Sequence, residues 1–335
     1  MLDVAGTRSR LTDRARPVRL LATGGTISMR GQRASPALAG ADLVEAIPQL
    51  GAFGAVEVED LFALPSAQLT LHQALEVARR ASACASAGEG VVISTGTDTL
   101  EELAMLCALV RDPSDAPIVL TGANRTAQAP GADGPANLLD SVAVAASSAS
   151  AGLGAVVVFA GEIHAATTVR KVDSTGPAAF GSPLTGPIGR VVGGGVWLAA
   201  VPRPVPRLVP AALHGCVPIL TAALGDGGES LRAASERADG LVVVGFGAGH
   251  LTPGMLDALR ELAARLPVVV TVRPERGAIL HDTYGFHGSE RDVRSSGALC
   301  APLLSPVAAR IALLCCIGAN LDRDRMATVL RAWDV

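Results

Sequence analysis

Two short turns of this sequence carry threonine hydroxyls that could act as nucleophiles. Thr26 follows a glycine pair at the end of one apolar run, and Thr97 follows Gly96 at the end of another. In an open parallel α/β sheet, ligands bind in the crevice outside the carboxyl ends of the strands. The two turns therefore predict one crevice with two hydroxyl groups, although a capped strand-to-helix turn also explains Thr26 taken alone.

Asp98 and Lys171 add opposite charges to this set of residues. Asp98 directly follows Thr97, and its spacing to Glu101 also fits the N-cap and capping box of a helix. Lys171 is the only lysine of the chain, since every other basic residue is an arginine. A lysine ammonium is a compact charge whose pKa shifts readily on burial, so its single use here indicates that the position needs an ammonium.

Strands and helices alternate along the chain in the predicted secondary structure. Continuous apolar runs predict buried strands, and longer runs with apolar residues three and four apart predict helices. Residues 167–172 are expected to form an extended or hairpin segment that brings Lys171 forward. The predicted strands are 19–22, 55–61, 90–94, 117–122, 156–159, 217–222, 241–245 and 268–272; the predicted helices are 41–50, 69–87, 100–110, 135–146, 229–238, 253–265, 306–317 and 323–332.

These elements predict an α/β protein of two domains, which suits a length of 335 residues. The large N-terminal domain, residues 18–199, is expected to hold a mostly parallel sheet flanked by helices and to carry the candidate nucleophile. Four prolines within residues 200–215 predict a stiff linker. Residues 216–335 are expected to form a smaller C-terminal α/β domain with a parallel sheet.

Composition argues against several classes of function. The 28 basic and 31 acidic residues include no basic block, so no nucleic-acid partner is expected. Mean hydropathy is +0.40, yet no apolar run reaches the ~18 residues of a membrane span. Six cysteines and six histidines show no metal-ligand spacing, so we expect reduced core thiols and no metal site. Residues 1–17 lack the apolar core of a signal peptide and are interpreted as a disordered lead-in to a cytoplasmic protein.

Four blocks of the sequence occur in order over nearly the whole chain: residues 22–27, residues 95–102, residues 132–138, and Arg170-Lys171 with Asp173 and Phe180. Together they resemble the bacterial L-asparaginases, including the asparaginase/glutaminase members. A glycine turn at residues 245–251 also resembles the second domain of that family. The resemblance implies a cofactor-free amidohydrolase that converts asparagine to aspartate and ammonia through an acyl-enzyme.

The resemblance also implies a role for each matching residue. Thr26 would be the nucleophile, and Thr97, Asp98 and Lys171 would handle the proton. The Asp98 carboxylate suits the α-ammonium of asparagine, and the Ser66 hydroxyl with backbone N–H groups suits its α-carboxylate. Without the resemblance, Ser66 would read as a plain turn residue. The implied substrate ligands are Thr26, Ser66, Thr97, Asp98 and Ala123.

The protonation state of Lys171 stays open at this point. As a base it must lose its proton, which requires its pKa to fall from about 10.4 to near 7. A neighbouring Asp98 carboxylate opposes that fall, so burial would have to dominate. The alternative is a charged Lys171 that orients Thr97 and stabilises charge in the transition state.

The sequence departs from the family pattern in the loop after the nucleophile, residues 29–40, which resembles a mobile lid but lacks the tyrosine that members commonly carry there. Either activation proceeds without that phenol or Tyr284, the single tyrosine, supplies one. The resemblance implies a homodimer, usually paired into a homotetramer, in which Tyr284 and Glu290 are candidates for a contribution to the neighbouring site. Ala67 stands where family members often carry a second polar substrate ligand after the serine, and Ala248 replaces an asparagine that is frequent in the family.

Two other functions stay open. One is a glutaminase-leaning or broad amidase, since a single methylene changes substrate preference by only ~1–3 kcal/mol. The other is a catalytically impaired amino-acid-binding protein of the same fold. The retention of Thr26, Thr97 and Lys171 together argues against the second.

Overall fold

The structure, a computed structural model, describes residues 16–30, 35–36, 38–114 and 116–334. Most of the predicted N-terminal lead-in lies outside the described residues, as do residues 31–34 and 37 of the predicted lid. The predicted α/β class is confirmed, with a larger N-terminal sheet and a smaller C-terminal sheet. Among the described residues, no helix has the length and apolar character needed to cross a bilayer.

The N-terminal part is built on an eight-stranded sheet in the order β12-β11-β8-β7-β6-β5-β1-β4. The five adjacent strands β7, β6, β5, β1 and β4 are parallel to one another. At the other edge, β8 pairs antiparallel with β7, β11 with β8, and β12 with β11. The elements are β1 Val18–Gly24, β2 Met29–Arg30, β3 Ser35–Pro36, α1 Gly40–Glu45, β4 Val56–Leu64, α2 Leu71–Ser86, β5 Gly90–Ser94, α3 Leu100–Val110, β6 Ile118–Thr121, α4 Gly134–Ala146, β7 Ala155–Phe159, β8 Glu162–Ala165, β9 Arg170–Lys171, β10 Phe180–Gly181, β11 Gly189–Val192 and β12 Gly195–Leu198.

The C-terminal part holds a four-stranded parallel sheet in the order β13-β14-β15-β16. Residues 200–215 form no helix or strand, and they reach this part along the N-terminal helices, where the Leu208 N–H donates to the Leu109 carbonyl. The elements are β13 Ile219–Thr221, α5 Glu229–Ser235, β14 Leu241–Gly245, α6 Pro253–Ala263, β15 Val268–Val272, α7 Glu290–Ser295, β16 Leu299–Cys300, α8 Pro306–Gly318 and α9 Arg323–Leu330.

The apolar core is continuous across the two parts. One cluster covers the face of the large sheet under α2 and α3 and extends into α8, which packs against α3. A second cluster lies on the opposite face of the sheet, under α1 and α4. Since α3 begins beside the predicted Thr97 turn, this packing fixes the start of α3 between the sheet and the C-terminal part.

Two predictions about elements were wrong or incomplete. The predicted helix over 41–50 ends at Glu45, and a 3₁₀ turn over Pro48–Phe53 follows. Proline lacks the N–H that a helix needs and disfavours helical geometry in the residue before it, which explains the early end. The antiparallel strands β8, β11 and β12 were not predicted, although Gly193-Gly194 between β11 and β12 is a hairpin signal.

Candidate active site

The turn after β1 is built around two glycines with positive φ angles. Gly24 has φ 102° and Gly25 has φ 82°, a region that favours glycine because other residues place a Cβ there at a steric cost. A Cβ on Gly25 would also overlap the backbone N and Cα of Gly96. The turn that carries Thr26 is therefore in backbone contact with the turn that carries Thr97.

Pairing of the strands explains why the two turns meet. β1 and β5 are parallel neighbours with Ala22 opposite Ser94, so both chains leave the sheet at the same edge. Thr26 opens a single 3₁₀ turn in which both the main-chain N–H and the Oγ of Ser28 donate to the Gly25 carbonyl, at 3.0 and 2.9 Å. The predicted crevice at the carboxyl ends of the strands is the place where these turns lie.

Lys171 reaches the second turn from a distant part of the chain. It lies in β9, within the segment predicted to be extended or a hairpin, and this strand pairs with β10 so that Lys171 lies opposite Phe180. Its Nζ donates to Thr97 Oγ1 at 2.9 Å and lies 3.3 Å from Asp98 Oδ1. The Thr97 residue is buried, whereas the Asp98 side chain is 64% exposed, so one end of this group faces the solvent.

The suggested capping box between Asp98 and Glu101 is not formed. The N-cap of α3 is Thr99, which makes no side-chain capping bond. The Asp98 carboxylate instead accepts a hydrogen bond from Lys171 Nζ, and the Glu101 carboxylate accepts one from the Lys171 main-chain N–H. The capping interpretation of Asp98 was therefore wrong, because Lys171 occupies both acidic groups.

Ser66 contributes a buried hydroxyl beside the same turn. It begins a 3₁₀ turn after Pro65 and is 4% exposed. Its carbonyl accepts the Thr99 hydroxyl at 3.1 Å, and a Cβ on Gly96 would lie 2.5 Å from Ser66 Oγ. Within the described residues, Ser66 Oγ has no hydrogen-bond partner. A buried hydroxyl without a partner is costly, so this one needs an explanation other than a local turn.

Ala123 lies behind these turns, fully buried at the end of β6. A Cβ on Gly134, the first residue of α4, would lie 2.9 Å from Ile27 Cγ1 and 3.3 Å from Ala123 Cβ. The loop after β6 is held by Asp133, whose carboxylate accepts the main-chain N–H groups of residues 124 and 125 at 3.0 and 2.8 Å. Tight packing of α4 therefore joins the loop around Ala123 to the Thr26 turn.

No role was predicted for Asp133 or Asn137, although both belong to one of the four motif blocks of the sequence. Asn137 Nδ2 donates to the Gly122 carbonyl at 3.0 Å, and its Oδ1 accepts the Ala160 N–H at 2.9 Å. These buried contacts hold the ends of β6 and β7 together. The block at residues 132–138 therefore supports the loops of the crevice. Its Asp-Gly-Pro sequence was the feature from which this supporting role could have been predicted.

Two family descriptions match the chain and together span most of its length. "Asparaginase, N-terminal" matches residues 17–203, and "Glutaminase/Asparaginase C-terminal domain" matches residues 216–330. The chain belongs to the asparaginase family.

Individual members of the asparaginase family are similar over 72% to 94% of this chain. A probable L-asparaginase from Deinococcus radiodurans is 38% identical over 317 residues, which are 92% of this chain and 95% of that protein. A glutaminase-asparaginase from Pseudomonas fluorescens is 33% identical over 72% of this chain and 71% of that one. The crystal structure of a probable cytoplasmic L-asparaginase from Campylobacter jejuni aligns with a TM-score of 0.81 at 28% identity, covering 94% of this chain and 99% of that one.

In this member of the asparaginase family, Tyr284 and Glu290 lie in the C-terminal part, around the start of α7. Glu290 is fully buried, and its Oε1 accepts the main-chain N–H groups of Thr283 and Tyr284 at 2.7 and 2.9 Å. Its Oε2 lies 3.2 Å from His250 Nε2. Burial raises the pKa of the Glu290 carboxyl, but these hydrogen bonds outweigh it and hold the pKa below its usual value.

The ring of Tyr284 is exposed and meets His250 edge-on, with ring centroids 4.9 Å apart. The ring of Phe286 contacts the same histidine at the same separation. The loop over 282–290 is therefore folded around the Glu290 carboxylate and presents two aromatic rings to the solvent.

Proposed function

We propose that this chain is an L-asparaginase that hydrolyses L-asparagine to L-aspartate and ammonia, with Thr26 as its nucleophile. The observation that carries the proposal is the backbone contact of Gly25 with Gly96, which sets the Thr26 turn against the turn of the Lys171–Thr97 hydrogen bond. A hydroxyl nucleophile beside a second hydroxyl that is oriented by a third group is the arrangement that nucleophilic catalysis requires.

The proposed reaction has two steps. Thr26 Oγ attacks the side-chain amide carbon of asparagine, the C–N bond breaks, and ammonia leaves with the proton that Thr26 gives up. The aspartyl ester on Thr26 is then attacked by water, which releases aspartate and restores the hydroxyl. Backbone N–H groups of the two glycine-containing turns are proposed to stabilise the oxyanion of each tetrahedral intermediate.

Side chains around the turns suit the remaining groups of asparagine. The exposed Asp98 carboxylate is proposed to bind the α-ammonium, and the unpartnered Ser66 hydroxyl to bind the α-carboxylate. Lys171 donates to Thr97 Oγ1 and is proposed to orient that hydroxyl for the reaction. The Ala123 backbone is proposed to line the amide end of the crevice.

Glutamine hydrolysis is the second candidate activity, because the Pseudomonas fluorescens relative is named for both substrates. Glutamine differs by one methylene, which a pocket discriminates by only ~1–3 kcal/mol. We therefore expect some activity on glutamine beside the main activity on asparagine.

The assembly is proposed to be a homodimer or homotetramer in which Tyr284 of one copy approaches the Thr26 site of the next. The exposed Tyr284 ring, anchored by the buried Glu290 carboxylate, is suited to such a contact. Glu290 is then a support for the trans contribution, since both of its oxygens are engaged within its own chain.

A cytoplasmic location is also proposed. The Campylobacter jejuni relative is described as cytoplasmic, and the adjacent thiols of Cys315 and Cys316 lie free in the core, as suits a reducing compartment. Cell fractionation of the producing organism checks this location, and recovery of the protein in a periplasmic extract would contradict it.

Ammonia release from L-asparagine and L-glutamine by the purified protein tests the proposed activity. We expect release from asparagine by the native protein, reduced release by the Thr26→Ser variant, and none by Thr26→Ala. If neither amide releases ammonia while asparagine still raises the melting temperature, the proposal of an enzyme is refuted in favour of an amino-acid-binding protein.

A further inference from the structure

Glu101 lies in the first turn of α3, yet its carboxylate serves a distant segment. Its Oε2 accepts the main-chain N–H of Lys171 at 3.2 Å, although the two residues are 70 positions apart. The ammonium of the same lysine returns to the turn before α3 and donates to Thr97 Oγ1 at 2.9 Å. Lys171 is therefore held at both its main chain and its Nζ by residues 97–101.

The strand that carries Lys171 is short. β9 and β10 are two residues long, with Lys171 opposite Phe180 and Arg170 opposite Gly181, and the Val172 N–H extends this hairpin by donating to the Ala179 carbonyl at 2.7 Å. A lysine side chain also has many rotamers to lose when its ammonium is fixed. The Glu101 contact fixes the origin of the side chain, so that the ammonium reaches Thr97 from one direction.

The environment of Glu101 makes this contact sensitive to protonation. Burial raises its pKa to about 7, and the neighbouring Glu102 on α3 acts in the same direction. The hydrogen bond from Lys171 N–H and the positive charges of Arg170 and Lys171 on β9 oppose the rise. An ionised carboxylate accepts a stronger hydrogen bond than its acid form. The hydrogen bond from the Lys171 N–H to Glu101 therefore strengthens as pH rises through about 7.

We propose that Glu101 is a positioning residue for the amide hydrolysis, which sets the Lys171 main chain so that its ammonium orients Thr97. This role rests on the proposed function, because it acts through Lys171 on the Thr26 reaction. It assigns Glu101 no contact with the substrate.

Nuclear magnetic resonance tests the contact independently of activity. Because Lys171 is the only lysine, protein labelled with ¹⁵N-lysine gives one main-chain amide signal, the N–H that faces Glu101. We expect this signal to shift with pH with a midpoint near 7 in the native protein. The midpoint is expected to vanish in Glu101→Gln and to persist in Glu102→Gln. A native signal without the midpoint, or one unchanged in Glu101→Gln, overturns the proposal.

Glu102 is a matched control because it occupies the same helical turn and is also half-buried. Its Oε2 lies 3.5 Å from Arg310 Nη1 of α8. Burial raises its pKa as well, so neutralising it removes a comparable charge without removing the Lys171 contact.

Steady-state kinetics on asparagine test the positioning role. We expect Glu101→Ala to lower kcat by ~10- to 100-fold with KM changed less than about threefold, as for a misplaced catalytic group. Glu101→Gln keeps a neutral acceptor oxygen, as the acid form of Glu101 does, so we expect its kcat to match the lower value that the native protein reaches below pH 7 and to show no further fall around that pH. Glu102→Gln is expected to keep the native kcat at high pH and to retain the fall in kcat at acid pH, shifted to somewhat lower pH because one charge that raises the Glu101 pKa is removed.

The outcomes separate the two proposals. A Glu101→Ala variant with native kcat overturns the positioning role, and if that variant does not fold, an unaltered pH profile in Glu101→Gln does so. A native protein that releases no ammonia refutes the proposed function instead, and the amide signal of Lys171 still decides whether Glu101 holds it.

Discussion

Single residues at this site differ in how their polar groups are used. Lys171, Thr97 and Asp98 satisfy one another, whereas Ser66 Oγ is buried without a partner in the described structure. In the proposed substrate site, this unpaired hydroxyl would gain a hydrogen-bond partner from asparagine. The same hydroxyl can therefore be nearly neutral for folding and important for affinity.

Ser66→Ala is expected to raise KM for asparagine about tenfold or more while leaving the melting temperature unchanged or slightly higher, because it removes an unpaired buried hydroxyl. Ser150→Ala is the matched control, since Ser150 Oγ is also buried without a partner in the described part of the chain. Thermal melts and substrate titration measure both effects. Equal KM values for the two variants would remove Ser66 from the substrate site.

The residues of this group were predicted more fully than the contacts that hold them in place. The family resemblance implied a proton-handling group of Thr97, Asp98 and Lys171, and in the structure Lys171 lies against Thr97 and Asp98. The link from Glu101 to the Lys171 main chain was not predicted. A hydrogen bond between residues 70 positions apart depends on tertiary packing, and local spacing carries no trace of it.

At the scale of elements, the turns that follow β1 and β5 can pack against each other because Gly25 has no side chain. Gly25 combines a positive φ with direct contact between its Cα and the backbone of Gly96. Either condition alone favours glycine, and both together leave no room for a side chain. The position of Thr26 relative to Thr97 therefore depends on the absence of one methyl group.

Gly25→Ala is expected to abolish at least ~99% of asparaginase activity and to destabilise the fold by ~2 kcal/mol or more, through backbone strain and overlap with Gly96. Gly186→Ala is the matched control, because Gly186 has φ 74° with open space around its Cα. Its expected cost is ~1 kcal/mol with activity retained. Denaturant titration and ammonia assays compare them, and similar losses in both variants would refute the importance of the turn contact.

Elements with strong periodicity were predicted closely, and irregular ones were not. The strand Gly90–Ser94 and the helix Leu100–Val110 have the bounds that their apolar patterns predict. The antiparallel edge formed by β8, β11 and β12 escaped prediction, because its strands are four residues long and alternate weakly between buried and exposed positions. These strands lie far from the Thr26 turn in the sheet order, so their omission did not affect the predicted site.

At the scale of the whole molecule, α3 connects the reacting turn to the C-terminal part. It begins at the Thr97 turn and packs against α8 within one continuous core cluster. The C-terminal loop over 282–290 presents Tyr284 to the solvent. The proposed assembly gives that exposed ring a partner, namely the Thr26 site of a second copy.

Mixing two variants tests whether sites are shared between copies. We expect Thr26→Ala and Tyr284→Phe each to have low activity, and hybrids formed by co-expression to recover about one quarter of native activity, because half of randomly paired dimers hold one site with both groups intact. Phe286→Leu, which alters the other exposed ring beside His250, is the control and is expected to remain active. No recovery in the hybrids would place Tyr284 outside the neighbouring site.

The most direct test of the mechanism is to trap the covalent intermediate on Thr26. The protein is mixed with asparagine, quenched in acid during turnover, digested with trypsin and analysed by mass spectrometry. Cleavage after arginine separates Thr26, in the peptide 20–30, from Thr97, in the peptide 81–111. We predict one aspartyl group on Thr26 in the native protein and none in Thr26→Ala. An aspartyl group on Thr97, or rapid turnover with no adduct on either peptide, would contradict the assignment of Thr26 as nucleophile.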